Sequence, residues 1–136
     1  RPKSMPELDR MCKQHPNTSV VIDHLASVGL GGDLNDEDVK TLCSMAINPN
    51  VCIKVSAFYA LGLGRPPHDD LAPLIERVVD AFGSERVMWG SDSPYHVQDE
   101  TYEDSIKLVR DKLDFLSEAD QENILCKTAE RVFFSA

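Results

Sequence analysis

Three short runs rich in β-branched residues constrain this chain more than anything else: SVVIDHL (19–25), VCIKVSA (51–57) and RVMWGS (86–91). Each is too short for a helix and too evenly apolar for a strand with one wet face, as expected of strands buried on both sides. Helical patterns separate them. Before the first run, Ser4 to His15 reads as a helix with an apolar stripe of Leu8, Met11 and Cys12, and Ser4 and Glu7 stand at capping-box spacing. After the first run, Asn35 is placed to cap a helix whose Val39, Leu42, Cys43, Ala46 and Ile47 recur at helical spacing, and Asn48-Pro49-Asn50 ends it. After the second, a loop with Gly62, Gly64, Pro66 and Pro67 leads to a helix over 69–82 that Gly83 terminates. Helices at about 100–116 and 118–134, the second capped by Ser117, close the chain. Strands alternating with helices at this spacing imply right-handed βαβ units and a parallel sheet. The expectation is a single α/β domain over residues 1–136. A sheet of three strands leaves both outer edges open, which proteins normally cover. With no initial Met, the chain is expected to be part of something larger.

Composition narrows the partners. The net charge is −9, and the Lys and Arg residues are scattered rather than gathered into a nucleic-acid footprint. The longest apolar runs are about six residues, against the roughly 20 that a bilayer crossing needs. The expectation is therefore no nucleic-acid partner, no membrane and a small-molecule substrate. Cys12, Cys43, Cys52 and Cys126 lie far apart without a C-x-x-C pair, which reads as reduced thiols in a cytoplasmic protein.

Chemistry is expected where the strands end. Ligands of parallel α/β sheets and barrels bind at the C-terminal ends of the strands. The first run ends in Asp23-His24, the second carries Lys54 and Ser56, and the third gives Ser91-Asp92. Period-two alternation places His24 on the face of Val20 and Ile22, pairs Lys54 with Ser56, and sets Asp92 with Met88 and Gly90. On one common face, an imidazole, an ammonium and a carboxylate converge. His24 and Asp92 can then coordinate a divalent cation such as zinc or manganese, or activate water directly by general-base action. Lys54 would hold an anionic substrate group, and Ser56, Tyr95 and His96 are the further expected substrate contacts. Asp23 is expected to point away from His24. The competing readings are structural: Asp92 as a helix cap, His24 as a hydrogen-bonded loop residue, Lys54 as a snorkelling side chain. His68, in its Pro-rich loop, is a weaker candidate.

Taken in order, HPNTSVVIDHL, NVCIKVSAF, RVMWGSDSPY and ILCKTAERVFF resemble the C-terminal part of the amidohydrolase-2 (amidohydrolase-related) family. The resemblance implies a partial (β/α)8 TIM barrel, about its last three βα units plus C-terminal helices. It implies a metal-dependent hydrolase or lactonase acting on a small cyclic ester or amide, with a decarboxylase of the same family as an alternative. By this likeness His24 and Asp92 correspond to the family's inward histidine and the aspartate after the last strand, as catalytic residues and metal ligands, and Lys54 to the lysine on the strand between. Two features depart from the family pattern. No His-x-His pair occurs among His15, His24, His68 and His96, and Ala26 stands where a glycine commonly follows Asp-His-Leu. The chain is thus expected to assemble with a missing N-terminal half-barrel, or to persist as an inactive, self-associating homo-oligomer.

Overall fold

The computed structural model describes residues 1–98 and 100–134. Three strands, β1 (Val20–Ile22), β2 (Val51–Ser56) and β3 (Val87–Gly90), form one parallel sheet in the order β1–β2–β3. Ile22 lies opposite Ile53, and Ser56 opposite Gly90. Around the sheet stand α1 (Met5–Gln14), α2 (Asp36–Ser44), α3 (Ala72–Phe82), α4 (Tyr102–Lys107), α5 (Glu118–Glu122) and α6 (Thr128–Phe133). The α/β class and parallel pairing are those the alternation predicts. Among the described residues, β1 and β3 each keep an unpaired outer edge.

The middle strand anchors the core. Val51, Ile53 and Val55 are fully buried, in one apolar cluster with Leu42 of α2 and Ile75 and Val78 of α3. The alternate residues Cys52 and Lys54 are only half-buried, so the second face of β2 is less completely covered than the sequence suggests.

Of the three caps the sequence suggests, two form. Asn35 accepts hydrogen bonds from the Glu37 and Asp38 amides, and Ser117 forms a capping box with Asp120. Thr101 and Asp104 form a second capping box ahead of α4 that the sequence reading did not single out. Ser4 makes no capping bond. A 3₁₀ turn at Pro2–Ser4 feeds into α1, so Ser4 has helical backbone angles (φ −94°, ψ −6°) rather than the extended ones a cap requires. The two C-terminal helices are also interrupted: single π-helical turns follow α4 at Leu108–Lys112 and join α5 to α6 at Asn123–Lys127.

The first strand is shorter than expected. Extended structure stops at Asp23, and the chain then makes a left-handed turn with φ of 49° at His24, 51° at Leu25, 54° at Ala26 and 62° at Ser27. L-residues adopt this region reluctantly. Ala26, at the position where the resemblance implies a glycine, sits inside it.

The buried centre of β2 gives a direct test of the core. Ile53→Ala should lower unfolding free energy by about 2–5 kcal/mol, read as a lower urea midpoint at unchanged slope.

Candidate active site

Parallel pairing brings the three strand ends to one rim. At the end of β1, the turn that starts at His24 swings its imidazole over β2. There His24 Nδ1 lies 2.8 Å from Ser56 Oγ. A hydroxyl both donates and accepts, so Ser56 orients the ring whichever nitrogen carries the proton. The other nitrogen, Nε2, faces outward, 3.8 Å from Asp92 Oδ1 and 3.8 Å from Asp23 Oδ2. His24 and Asp92 stay partly accessible, with side chains 33% and 20% exposed. This combination suits chemistry: a restrained imidazole and a restrained carboxylate, both open to a small molecule.

Lys54 reaches the same rim from β2, its Cε 3.5 Å from where a Cβ at Gly90 of β3 would lie, an ordinary packing distance. The ammonium ends 2.8 Å from Asp23 Oδ1. Asp23 therefore does not point away from the site. Period-two alternation fails there because the strand has ended, and the left-handed turn carries His24 back over the residue before it. The Asp23 carboxylate offsets the charge that Lys54 was expected to offer an anionic substrate.

Asp92 is held from two sides. Its backbone is left-handed (φ 58°), a region that aspartate tolerates better than most residues. Its carbonyl accepts from the Tyr95 amide at 3.0 Å. The Tyr59 hydroxyl, in the turn after β2, donates to Asp92 Oδ2 at 2.8 Å, leaving Oδ1 to face His24. Burial, reinforced by the Asp92 carboxylate at its hydroxyl, pushes the Tyr59 phenol up from the usual 10 to about 12. Tyr59 was not anticipated. The only sequence signal for it is a tyrosine three positions past Ser56, in a segment that otherwise reads as packing.

The remaining expected contacts do not gather here. The Tyr95 side chain is exposed, and its link to the site is the backbone bond to Asp92. His96, expected beside Asp92, is 1% exposed with its ring 5.9 Å from that of Tyr102. The turn after Pro94 rotates it inward, out of a substrate's reach. His68 is buried too, against Glu100. Trp89 packs as expected, its indole N–H donating to the Ser105 carbonyl.

The donors for a metal are few. Among the described residues no group of three His, Cys, Asp or Glu side chains is arranged to hold one. His24 Nε2 and Asp92 Oδ1 are two donors at suitable separation, short of the three or four that protein zinc sites use. These residues alone do not make a zinc or manganese site.

His24, Lys54 and Asp92 stand at the carboxyl rim of a parallel α/β sheet, where ligands of such sheets bind, and comparison with known proteins specifies the group. The sequence signature of the Amidohydrolase family matches residues 1–134; the chain belongs to that family. It is 31% identical over 96 residues to the L-fucono-1,5-lactonase of Burkholderia ambifaria, an alignment covering 68% of this chain and 32% of that protein. It is 28% identical to the 4-sulfomuconolactone hydrolase of Hydrogenophaga intermedia, covering 83% of this chain and 38% of that protein. The crystal structure of an amidohydrolase from Burkholderia multivorans with bound zinc superposes with a TM-score of 0.80 at 22% identity, over 96% of this chain and 49% of that one. The chain thus spans roughly a third of the curated relatives and half of the solved one. Among the described residues, no helix is long and apolar enough to cross a membrane.

The Tyr59–Asp92 contact has a measurable consequence. The raised phenol favours the protonated form in the folded state, so its contribution to stability is complete below pH 10 and fades as pH rises toward 12. In a spectrophotometric titration of the folded protein, one of the three tyrosines should ionise near the upper end of that range, and Tyr59→Phe should delete that step.

Proposed function

We propose that this chain forms the last three βα units of a (β/α)8 barrel that hydrolyses a small lactone, with Asp92 as general base. The observation that carries the reading is the Asp92 carboxylate, anchored through Oδ2 by Tyr59 with Oδ1 turned toward His24 Nε2, 3.8 Å away. A water against Oδ1 would give its proton to Asp92 as its oxygen attacks the lactone carbonyl carbon. The electron pair displaced onto the carbonyl oxygen makes a tetrahedral oxyanion, which an N–H at His24 Nε2 would stabilise. Collapse re-forms the carbonyl and expels the ring oxygen, which recovers the proton from Asp92 to give the hydroxy acid. Ser56, bonded to the opposite ring nitrogen, keeps the imidazole aimed.

The family, and the lactonase and lactone hydrolase among its relatives, support lactone hydrolysis over the decarboxylase alternative. The rim carries two carboxylates, Asp23 and Asp92, beside the ammonium of Lys54, which already pairs with Asp23. That balance suits an uncharged sugar lactone, of the kind named for the Burkholderia ambifaria relative, better than an anionic one. A metal supplied with ligands from elsewhere in the barrel would sit against His24 and Asp92 and add Lewis acidity there. The free edges of β1 and β3 are where the remaining barrel strands would pair, and an apolar recess lined by Leu8, Met11, Cys12 and Val20 flanks the β1 side. Four unpaired cysteines suit a cytoplasmic setting.

Asp92→Asn keeps the shape and removes the base. Turnover of L-fucono-1,5-lactone by the purified protein should fall by about 10²–10⁴-fold with little change in KM. Equal activity in the variant would refute the assignment. A folded protein inactive on this and on anionic lactones would favour the non-catalytic, self-associating alternative.

A further inference from the structure

The most deeply buried ion pair in the described structure lies outside this site. His68 Nε2 meets Glu100 Oε2 at 2.5 Å, with side chains 0% and 1% exposed. Each residue belongs to a different rim loop. His68 ends the loop after β2 that also carries Tyr59, and Glu100 lies near the end of the loop after β3 that carries Asp92. The two loops are therefore joined twice, by Tyr59 to Asp92 near the strands and by His68 to Glu100 at the far end.

Such a pair is poorly explained as a device for stability alone. Removing an acid and an imidazole from water is costly, and apolar residues of similar volume serve a core at least as well. This pair is also incompletely satisfied: His68 Nδ1 and Glu100 Oε1 have no hydrogen-bond partner among the described residues. What it does supply is a fixed distance between two loops. That restraint is needed, because His68 (φ 61°) and Asp92 (φ 58°) are both left-handed. Residues in that region persist only where their surroundings hold them. Phe58 closes over the His68 ring at 5.7 Å, and the Glu100 amide donates to the His96 carbonyl at 3.2 Å. Pulling on Glu100 thus pulls on the turn that begins at Asp92.

We propose that His68 and Glu100 are positioning residues, a buried latch that clamps the loop after β3 to the loop after β2 and so fixes the direction of the Asp92 carboxylate. They touch no substrate and act through the backbone hydrogen bonds of Glu100 to His96 and of Tyr95 to Asp92. Their consequence for turnover rests on the function proposed above; their effect on the loop does not.

Hydrogen exchange of the full chain separates these. Glu100→Asp keeps the charge but retracts the carboxylate by one carbon, and exchange at the backbone amides of residues 95 and 100 should accelerate by about ten-fold or more while those of Ile53 and Val87 are unchanged. Glu100→Gln keeps the reach and a hydrogen bond to His68, and should hold those amides near the parent rate. On L-fucono-1,5-lactone, Glu100→Asp should lower kcat with KM nearly constant, and Glu100→Gln should recover most of it. Unchanged exchange at 95 and 100 in Glu100→Asp would overturn the latch, as would acceleration spread evenly through the strands. Absence of lactone turnover in the parent protein would refute the proposed function while the exchange result still decides the latch.

Discussion

The site depends on the middle strand being paired in parallel on both sides. Because β2 runs alongside β1 and β3 in the same direction, all three carboxyl ends arrive at one rim, and side chains more than thirty residues apart in sequence come within hydrogen-bond reach: His24 with Ser56, Tyr59 with Asp92. An antiparallel partner would deliver its opposite end and break the set. The strands themselves are short, so their order rests on the buried Val51, Ile53 and Val55 more than on ladder hydrogen bonds. Helices on a parallel sheet bury such residues and keep the register from slipping.

Beyond the strand ends, backbone conformation does the aiming. Left-handed residues occur where each strand gives way to its loop: His24 through Ser27 after β1, Ala57 after β2, Asp92 after β3. Each folds the chain back over the rim instead of letting it run on. Two side-chain contacts join the loops after β2 and β3, Tyr59 to Asp92 and His68 to Glu100. The Asp92 carboxylate is thus oriented by a side chain from the neighbouring loop as well as by its own strand end.

Electrostatics at the rim is finely divided. Asp23 and Asp92 both face His24 Nε2, yet each has its own second partner, Lys54 for one and Tyr59 for the other. A charged donor offsets Asp23, while a neutral one orients Asp92 without cancelling its charge. Two carboxylates facing one imidazole nitrogen thus differ in their second partner, an ammonium for Asp23 and a phenol for Asp92.

Much of this was legible in the residues themselves. The β-branched runs, the helix-spaced apolar stripes and the caps at Asn35 and Ser117 specify an α/β chain with parallel strands, because propensity and periodicity act over a few neighbours. The polar groups at the strand ends mark the rim for the same reason. Sequence alone could not decide where extended structure stops. Period-two reasoning runs past the end of β1, so it turns Asp23 away and leaves Lys54 free, whereas the left-handed turn at His24 brings Asp23 and Lys54 together. Nor could it bury His96, or find the pairings of His68 with Glu100 and of Tyr59 with Asp92, since each pair joins two different loops. Local pattern determines which elements form; only the packing of loops over a parallel sheet decides which of their polar side chains face one another.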